Sequence, residues 1–320
     1  MLKRRLITIP AVWVATSLLT ASVPILLVLA AIGDLARKSF TFASVRVVLF
    51  GLFFGWTECL GTLFLGAIGV WTIGRPTARL ELTFAVQRLY TASLFHSARI
   101  LLSLRFEVEG DGLIDDGPLL VLVRHASIVD TLLPGVFLSG KHGLRLRYVL
   151  KRELQWGPCL DIAGHWLPNH FASRDGADSE REIQKVAALK QGLQRGEGVI
   201  LYPEGTRFSA KKRLRAIEKV DPALRERASK LRHVMPPRLG GTLALLDAAP
   251  ACDVLVLAHH GLAGFSSIRD IWMGKLTGTT VRLNYFRIPA AQIPAGREER
   301  ISFLYGAWEQ IDGWLARVTA

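Results

Sequence analysis

Acidic residues and cysteines are scarce in this sequence of 320 residues. The chain has 27 aspartates and glutamates but 40 lysines and arginines, which gives a formal net charge of +13. This charge predicts an anionic partner, either nucleic acid or an anionic membrane surface. The three cysteines, Cys59, Cys159 and Cys252, are odd in number and scattered. They give no disulfide framework and no metal-type spacing, so we expect a reduced, cytosol-facing domain.

Sequence signatures of several other enzyme classes are absent too. There is no G-x-S-x-G nucleophile elbow, which argues against a phospholipid hydrolase. No HExxH or Cys-x-x-Cys accompanies the histidines, and the adjacent pair His259 and His260 is badly arranged to chelate one ion. We therefore predict no metal site and no cofactor. Walker-type loops, internal repeats and low-complexity segments are missing as well.

Long apolar stretches, in contrast, are present near the N-terminus. Residues 7–32 carry no charge and follow Lys3, Arg4 and Arg5. Since about 20 residues span a bilayer as a helix, this stretch is long enough for a membrane helix. A cleaved signal peptide is the alternative, but the apolar core is longer than usual and a second stretch follows at 47–73. These stretches favour a membrane over nucleic acid as the anionic partner.

The second apolar stretch is interrupted by one acid, Glu58. An acid within the membrane is costly, so Glu58 is either functional or the mark of a shallow, re-entrant hairpin. Basic residues flank both stretches, and the positive-inside rule therefore does not settle their orientation. A two-pass hairpin and a re-entrant one both return the chain to the side where it started. We predict a membrane-anchoring hairpin over residues 1–75.

Residues 76–320 are predicted to form an α/β domain with a mostly parallel sheet flanked by helices. It begins with an amphipathic helix over 76–104, which either packs on the core or lies in the headgroup layer. Helical patterns alternate with β-rich runs beyond it, most clearly over 179–194, where Arg195 and Gly196 resemble a helix end. The predicted strands are Leu119–Val123, Arg145–Leu150, Gly198–Tyr202, Asp253–His259 and Thr280–Phe286.

A His-x4-Asp pattern, His125 with Asp130, follows the first predicted strand. Imidazole suits a general base near neutral pH, and a carboxylate on the other ring nitrogen fixes its tautomer and stabilises the imidazolium. In parallel sheets, sites gather beyond the carboxyl ends of the strands, where this pattern lies. Alone it is weak evidence, because such pairs also arise by chance.

A second motif, Glu204-Gly205-Thr206-Arg207, also follows a predicted strand. The glycine lets backbone amides approach an anion, and Arg207 offers a planar guanidinium that can bind phosphate through two bonds. Thr206 adds a hydroxyl donor, and Glu204 is suited to orient Arg207 or a substrate hydroxyl. The alternative is an ordinary strand-to-loop turn with a surface ion pair.

These motifs resemble those of the glycerolipid acyltransferase family that includes the 1-acyl-sn-glycerol-3-phosphate acyltransferases. The resemblance covers residues from about 119 to 260, less than half of the chain, and three blocks occur in the family's order. The blocks are Arg124–Asp130, then Lys151–Leu154 with Trp156–Pro158, Gly164 and Phe171–Arg174, and finally Tyr202–Ser209.

The resemblance implies a membrane-bound enzyme that moves a fatty acyl group from acyl-CoA or acyl carrier protein to 1-acyl-sn-glycerol-3-phosphate, making phosphatidic acid. It implies that His125 is the base and Asp130 its partner, and that Arg174 joins residues 204–207 in holding the acceptor's phosphate. The acyl thioester is a co-substrate, and no cofactor or nucleic acid is expected. The catalytic domain is expected to face the cytoplasm at the bacterial inner membrane or the endoplasmic reticulum.

Departures from the family pattern leave the acceptor open. Arg124 stands where asparagine is common, Ile128 where tryptophan is common, and Ser173 where an acid often precedes the arginine. Residues 231–241 resemble a stretch of the lysophospholipid-remodelling branch, so another lysophospholipid is the alternative acceptor. A catalytically inactive membrane-binding scaffold is the alternative of a different class. The basic stretch 211–233 is either a solvated face or a contact for lipid headgroups or coenzyme A phosphates.

Overall fold

The computed structural model describes residues 1–127, 129–172, 180–262 and 268–319. Two long helices, α1 (Leu2–Ala36) and α2 (Ala43–Trp71), open the chain and pack as an antiparallel hairpin. By length and composition both could cross a membrane, and most of their apolar side chains are not buried in the protein. The helices approach closely at Gly55, where a Cβ atom would lie 2.7 Å from Oγ1 of Thr16.

The predicted amphipathic helix is α3 (Pro76–Leu101), which starts with proline at its first turn. Its side chains Phe84, Leu94 and Phe95 are buried, and the Phe95 ring lies 4.7 Å from that of Phe106 on the sheet. The helix therefore packs on the core along one face, as the first of the two interpretations expected.

The sheet has seven strands in the order β1-β7-β6-β2-β5-β3-β4. All neighbours run parallel except β6 and β7, so the predicted class, a mostly parallel sheet flanked by helices, is confirmed. The strands are β1 (Arg105–Glu109), β2 (Leu119–Val123), β3 (Arg145–Lys151), β4 (His170–Ala172), β5 (Glu197–Leu201), β6 (Asp253–His260) and β7 (Thr280–Ile288). β1 and β4 were not predicted from the sequence.

The core lies on both faces of this sheet. All five residues of β2 are buried, and alternate ones enter different clusters: Leu120 faces the cluster under α8 and α10, whereas Val121 faces the cluster under α3. Burial on both faces explains the unbroken apolar run of this strand. The remaining α-helices in the described part of the chain are α4 (Pro158–Trp166), α5 (Glu180–Ala188), α6 (Ala210–Glu218), α7 (Pro222–Lys230), α8 (Leu239–Asp247), α9 (Ile268–Trp272) and α10 (Arg297–Thr319). A π-helix over Pro134–Gly140 and three short 3-10 helices complete the helical segments described.

Helix α5 is shorter than the predicted helix over 179–194. It ends at Ala188, and the next three amides bond to carbonyls only three residues back, which tightens the chain into turns. The turn lets Leu193 enter the core and buries Lys190, whose Nζ donates to the carbonyl of Leu245 at 2.8 Å. Tertiary packing therefore overrides the helical pattern here.

Glu58 is buried in the protein and does not face lipid. Its carboxylate accepts a hydrogen bond from the hydroxyl of Tyr90 on α3 and one from the backbone N–H of Cys159, at 3.3 Å. Cys159 lies in the first turn of α4, whose N-cap residue, Gly157, has no side chain to bond the free amides. Glu58 thus accepts one of the free N–H groups at the N-terminus of α4, and it joins the hairpin to this helix.

Candidate active site

Three adjacent strands, β6, β2 and β5, bring the site residues together at one edge of the sheet. The register of β2 with β6 pairs Val123 with Leu257. Two residues beyond this pair, His125 and His259 lie level with each other. On the other side of β2, the register with β5 brings Glu204 level with His125. The parallel sheet thus places three ionisable side chains in a row.

His125 and Asp130 lie in direct contact in the loop after β2. Nδ1 of His125 is 3.1 Å from each carboxylate oxygen of Asp130. Oδ2 of Asp130 also accepts the backbone N–H groups of Ala126 and Ser127, both at 2.8 Å, so the loop folds around a buried carboxylate. Since a carboxylate is an acceptor, Nδ1 carries the proton and Nε2 is left with a lone pair. This is the tautomer that a general base needs.

Asp130 stays ionised although it is buried. Burial alone would raise its pKa, but the hydrogen bonds from His125 and His259 outweigh burial and hold the pKa below its ordinary value. Tyr202 also lines this part of the site, its ring centroid 5.0 Å from that of His125. Burial and the charge of Asp130 raise the pKa of the Tyr202 phenol well above 10.0, so it keeps its proton.

His259 is a site neighbour that the sequence analysis considered only as a metal ligand. Its side chain is fully buried, with Nε2 at 3.3 Å from Oδ2 of Asp130 and 3.1 Å from the carbonyl oxygen of Arg124. Burial lowers the pKa of His259, so the ring is neutral near pH 7. The available sequence signal was its place at the end of a predicted strand, Asp253–His259.

Glu204 supports the histidine loop from the other side. Its Oε1 accepts the backbone N–H of His125 at 2.9 Å, and its Oε2 accepts that of Met235 at 3.1 Å. The carboxyl group is buried, and burial raises its pKa to about 8, against the attraction of Arg124 and the two N–H donors. The structure therefore shows Glu204 bonded to two backbone N–H groups. Its role in orienting Arg207 or a substrate hydroxyl stays a prediction.

The turn after Glu204 needs a glycine. Gly205 has a left-handed φ of +62°, and a Cβ atom there would lie 2.8 Å from Nε of Arg238. The turn joins the two motifs, because the backbone N–H of Phe208 donates to the carbonyl of His125 at 2.8 Å. Thr206 and Arg207 are half-buried beside it.

Part of the basic stretch 211–233 borders this turn. Nζ of Lys212, in the first turn of α6, is 3.4 Å from Oγ1 of Thr206 and 3.5 Å from the carbonyl of Arg207. Other cations of the stretch bind within the protein: Arg213 donates to the carbonyl of Leu231, and Arg227 pairs with a glutamate of α10. The stretch is therefore partly a solvated face and partly a border of the site.

Arg124, one of the departures from the family pattern, is buried inside the site. Its Nη1 donates to the carbonyl of His259 at 2.6 Å and its Nη2 to that of His233 at 3.0 Å, while the guanidinium lies 6.0 Å from the ring centroid of Phe208. Burial lowers the pKa of Arg124, and the nearby carboxylates of Glu204 and Asp130 oppose this effect. Arg124 thus holds three loops of the site together.

The predicted phosphate ligand Arg174, together with Ser173 and Ile128, lies outside the described residues. The chain leading to residue 173 is strand β4, which pairs with β3 at the edge of the sheet. Its Phe171 ring stacks on that of His165 in α4, with centroids 4.9 Å apart. The second block is therefore described up to Ala172.

Comparison with known proteins identifies the domain that carries this site. Residues 105–245 match the model of the family described as Acyltransferase. This part of the chain therefore forms an acyltransferase domain, which is less than half of the chain. Over 132 residues this chain is 27% identical to 1-acyl-sn-glycerol-3-phosphate acyltransferase epsilon from Mus musculus, an alignment that covers 40% of this chain. It spans only about a third of that relative, 35% of its length.

The fold is shared with a bacterial acyltransferase of known structure. The crystal structure of the 1-acyl-sn-glycerophosphate acyltransferase PlsC from Thermotoga maritima matches this chain with a TM-score of 0.56. The match covers 86% of this chain and 98% of that one at 15% identity. At this identity, the likeness is evidence for the fold alone.

Proposed function

We propose that this protein is a membrane-bound O-acyltransferase that converts 1-acyl-sn-glycerol-3-phosphate to phosphatidic acid. The donor is the thioester of acyl-CoA or acyl carrier protein. The observation that carries the proposal is the contact of His125 with Asp130 within an acyltransferase domain. It leaves Nε2 of His125 as an acceptor for the proton of an alcohol.

The reaction needs two proton transfers: the acceptor hydroxyl loses a proton to the base, and the departing thiolate gains one from it. Nε2 of His125 takes the proton of the acceptor hydroxyl while the oxygen attacks the carbonyl carbon of the thioester. The C–O bond forms, the C–S bond breaks, and the imidazolium returns the proton to the departing thiolate. Asp130 stabilises the imidazolium in between, and no acyl-enzyme forms.

The acceptor's phosphate is proposed to bind at the turn formed by Gly205, Thr206 and Arg207, with Arg174 as a further ligand. Support comes from two cations at this turn: Nζ of Lys212 lies beside Thr206, and the side chain of Arg238 packs against Gly205. The role of Arg174 rests on the family resemblance. Glu204 contributes by holding the His125 loop.

The hairpin is proposed to lie along one face of the bilayer, with the active site facing the cytoplasm. Helix α1 has 35 residues, about 52 Å at 1.5 Å per residue, whereas the bilayer core is about 30 Å thick. Its first turn is bound to the domain, because Arg5 donates to Asp161 on α4 at 2.7 Å. At the opposite end of the hairpin, Arg46 donates to the carbonyl of Leu101 at 2.5 Å. A hairpin held to one domain at both ends favours the in-plane arrangement over a crossing.

The outer face of the hairpin suits this location. Large apolar side chains are exposed along its length, while basic residues lie at its ends. The exposed apolar residues include Val14, Leu18, Val28, Phe54, Phe64 and Val70.

Acyl transfer by the purified full-length protein tests the proposed reaction. Lysophosphatidate and a panel of other lysophospholipids are offered with radiolabelled acyl-CoA and, separately, with acyl carrier protein. We expect lysophosphatidate to be the best acceptor and His125→Ala to abolish the transfer. Full activity of His125→Ala would contradict the mechanism, a different preferred lysophospholipid would contradict the acceptor, and inactivity on the whole panel would favour a scaffold.

Labelling with a membrane-impermeant maleimide tests the membrane arrangement. The native cysteines are buried, so a single cysteine can be placed at Lys38 in the hairpin turn, with Gln310→Cys on α10 as the matched control. We expect both to be labelled from the same side of sealed vesicles. Labelling of the turn from the opposite side only would show that the hairpin crosses the membrane.

A further inference from the structure

His259 has no part in the mechanism above, yet it contacts Asp130, the partner of the proposed base His125. Nε2 lies within hydrogen-bond reach of two acceptors, the Oδ2 atom of Asp130 and the carbonyl oxygen of Arg124. Two acceptors on one ring nitrogen require that this nitrogen carry the hydrogen. Nδ1 is buried and has no hydrogen-bond partner within the described part of the chain.

We propose that His259 is a positioning residue for His125, acting through Asp130. The proposal rests on the proposed function, in which His125 is the base. His259 does not touch the reacting atoms. It donates a hydrogen bond to the Asp130 carboxylate, which holds the base. This bond fixes the orientation of the carboxylate and stabilises its negative charge.

The geometry shows why a donor is needed on this side. The two backbone donors to Asp130, Ala126 and Ser127, belong to the same loop as the carboxylate and move with it. His259 belongs to β6, a fully paired strand in the middle of the sheet. Its bond to Oδ2 therefore ties the loop to the rigid core. The Arg124 guanidinium, which donates to the carbonyl of His259, strengthens the same connection.

The neutral state of His259 is part of its role. A proton on Nδ1 would place a buried charge where no acceptor lies among the described residues, so the ring stays uncharged. The imidazolium that forms during the reaction is then confined to His125. The titratable or charged groups that surround His259 and Asp130 are His125 and Arg124 after β2, Tyr202 and Glu204 after β5, and His260 on β6.

Removing the Nε2–H donor of His259 should change the catalytic behaviour of the base, His125, in a measurable way. With one hydrogen bond fewer, the Asp130 carboxylate attracts the imidazolium that forms on His125 more strongly. The acid limb of the kcat/KM profile should therefore move to higher pH. Loss of one hydrogen bond to a charged group, with looser positioning, lowers kcat about tenfold while KM for the acceptor stays unchanged.

A matched pair of variants separates this role from packing. In His259→Gln the amide nitrogen takes the place of Nε2 and offers one hydrogen to each of the two acceptors. The kcat of this variant should therefore stay within about threefold of wild type, and its pH profile should not move. In His259→Leu the volume is kept and the donor is lost. His259→Asn, whose amide is too short to reach Asp130, replaces His259→Leu should that protein not fold. Thermal melts of each purified full-length variant report folding.

The pKa of His125 is also followed without turnover, by NMR titration of the 15N-histidine-labelled protein in micelles, with His125→Ala to assign the signal. A raised pKa and lowered kcat in the variant lacking the donor, restored in His259→Gln, is the expected result. Unchanged pKa and kcat in that variant, or equal losses in both variants without a pKa shift, would overturn the proposal. An inactive wild type would count against the proposed function only, because the titration still decides the role of His259.

Discussion

Replacing Asp130 by asparagine is expected to reverse the proton arrangement of the catalytic pair. An asparagine side chain has one oxygen and one NH2 group where aspartate has two oxygens. Oδ2 accepts the N–H groups of Ala126 and Ser127 and has Nε2 of His259 at 3.3 Å, whereas Oδ1 has only Nδ1 of His125 beside it among the described residues, and Nδ1 is 3.1 Å from both oxygens. The amide oxygen must therefore take the Oδ2 position, because an NH2 group there would face three donors.

The NH2 group of this variant then faces Nδ1 of His125. Nδ1 is equally close to the amide oxygen, but a hydrogen on Nδ1 would meet the hydrogens of the NH2 group, so we expect Nδ1 to become an acceptor. The ring proton then moves to Nε2, and the base has no lone pair left for the substrate. A wrong tautomer of this kind costs about 10⁴-fold in kcat in the serine protease triad, and we expect roughly 10³- to 10⁴-fold here. The fold is little affected, since the three donors to the Oδ2 position remain satisfied.

Asp130→Ala is the matched comparison. We expect it to lose more stability and less activity than Asp130→Asn. It leaves the buried N–H groups of Ala126 and Ser127 without an acceptor, which costs about 1–3 kcal/mol each in the free energy of unfolding. The imidazole is free to choose either tautomer, so per folded molecule Asp130→Ala should be more active than Asp130→Asn although it is less stable. Acyl-transfer kinetics at saturating lysophosphatidate and thermal melts measure both quantities. An asparagine variant with more than about a tenth of wild-type kcat, or one less active and also less stable than the alanine variant, would refute this reasoning.

Three further perturbations test the support of the site. The pKa of Glu204 is raised to about 8 from 4.5, so the folded state binds this proton more tightly and stability should fall as pH rises from about 4.5 to 8; Glu204→Gln should flatten the melting temperature over this range, and an unchanged slope would contradict the burial effect. Gly205→Ala forces alanine into a left-handed φ and should cost about 1–2 kcal/mol in unfolding free energy and raise the acceptor KM, as denaturant titration and kinetics would report, whereas wild-type values would contradict the role of this turn. Asp161→Asn removes the buried partner of Arg4 and Arg5 and should speed tryptic cleavage after these residues several-fold, while equal cleavage rates would show that the contact does not hold the hairpin.

Strands buried on both faces could be predicted from the sequence, and marginal ones could not. β2 is an uninterrupted apolar run because both of its faces meet core, so composition alone reveals it. β1 alternates charged and apolar residues at the sheet edge, and β4 has three residues, so neither produces a comparable signal. The end of α5 was mispredicted since it depends on where Leu193 and Lys190 find space in the folded core.

The candidate site shows the same division between local and tertiary information. His125 and Asp130 lie five positions apart in one loop, so their contact was predictable from spacing. The contact of His259 with Asp130 depends on β6 lying beside β2 in a particular register, which no local pattern reveals. The bond from Met235 to Glu204 likewise joins segments 31 positions apart. Local motifs therefore predicted the candidate catalytic pair, whereas the groups that hold this pair in place required the fold.

The buried charges of the site are compatible with the anionic substrate proposed above. Asp130 is ionised and Arg124 is its nearby cation, so their charges cancel. Glu204 would add a second negative charge, but burial raises its pKa to about 8 and it is largely protonated at pH 7. A phosphate at the Thr206–Arg207 turn then meets no net negative charge from the site's interior, and the cation Lys212 at its border attracts it. Above pH 8 the ionised Glu204 would repel the phosphate, so the acceptor KM, rather than kcat, should rise on the alkaline side.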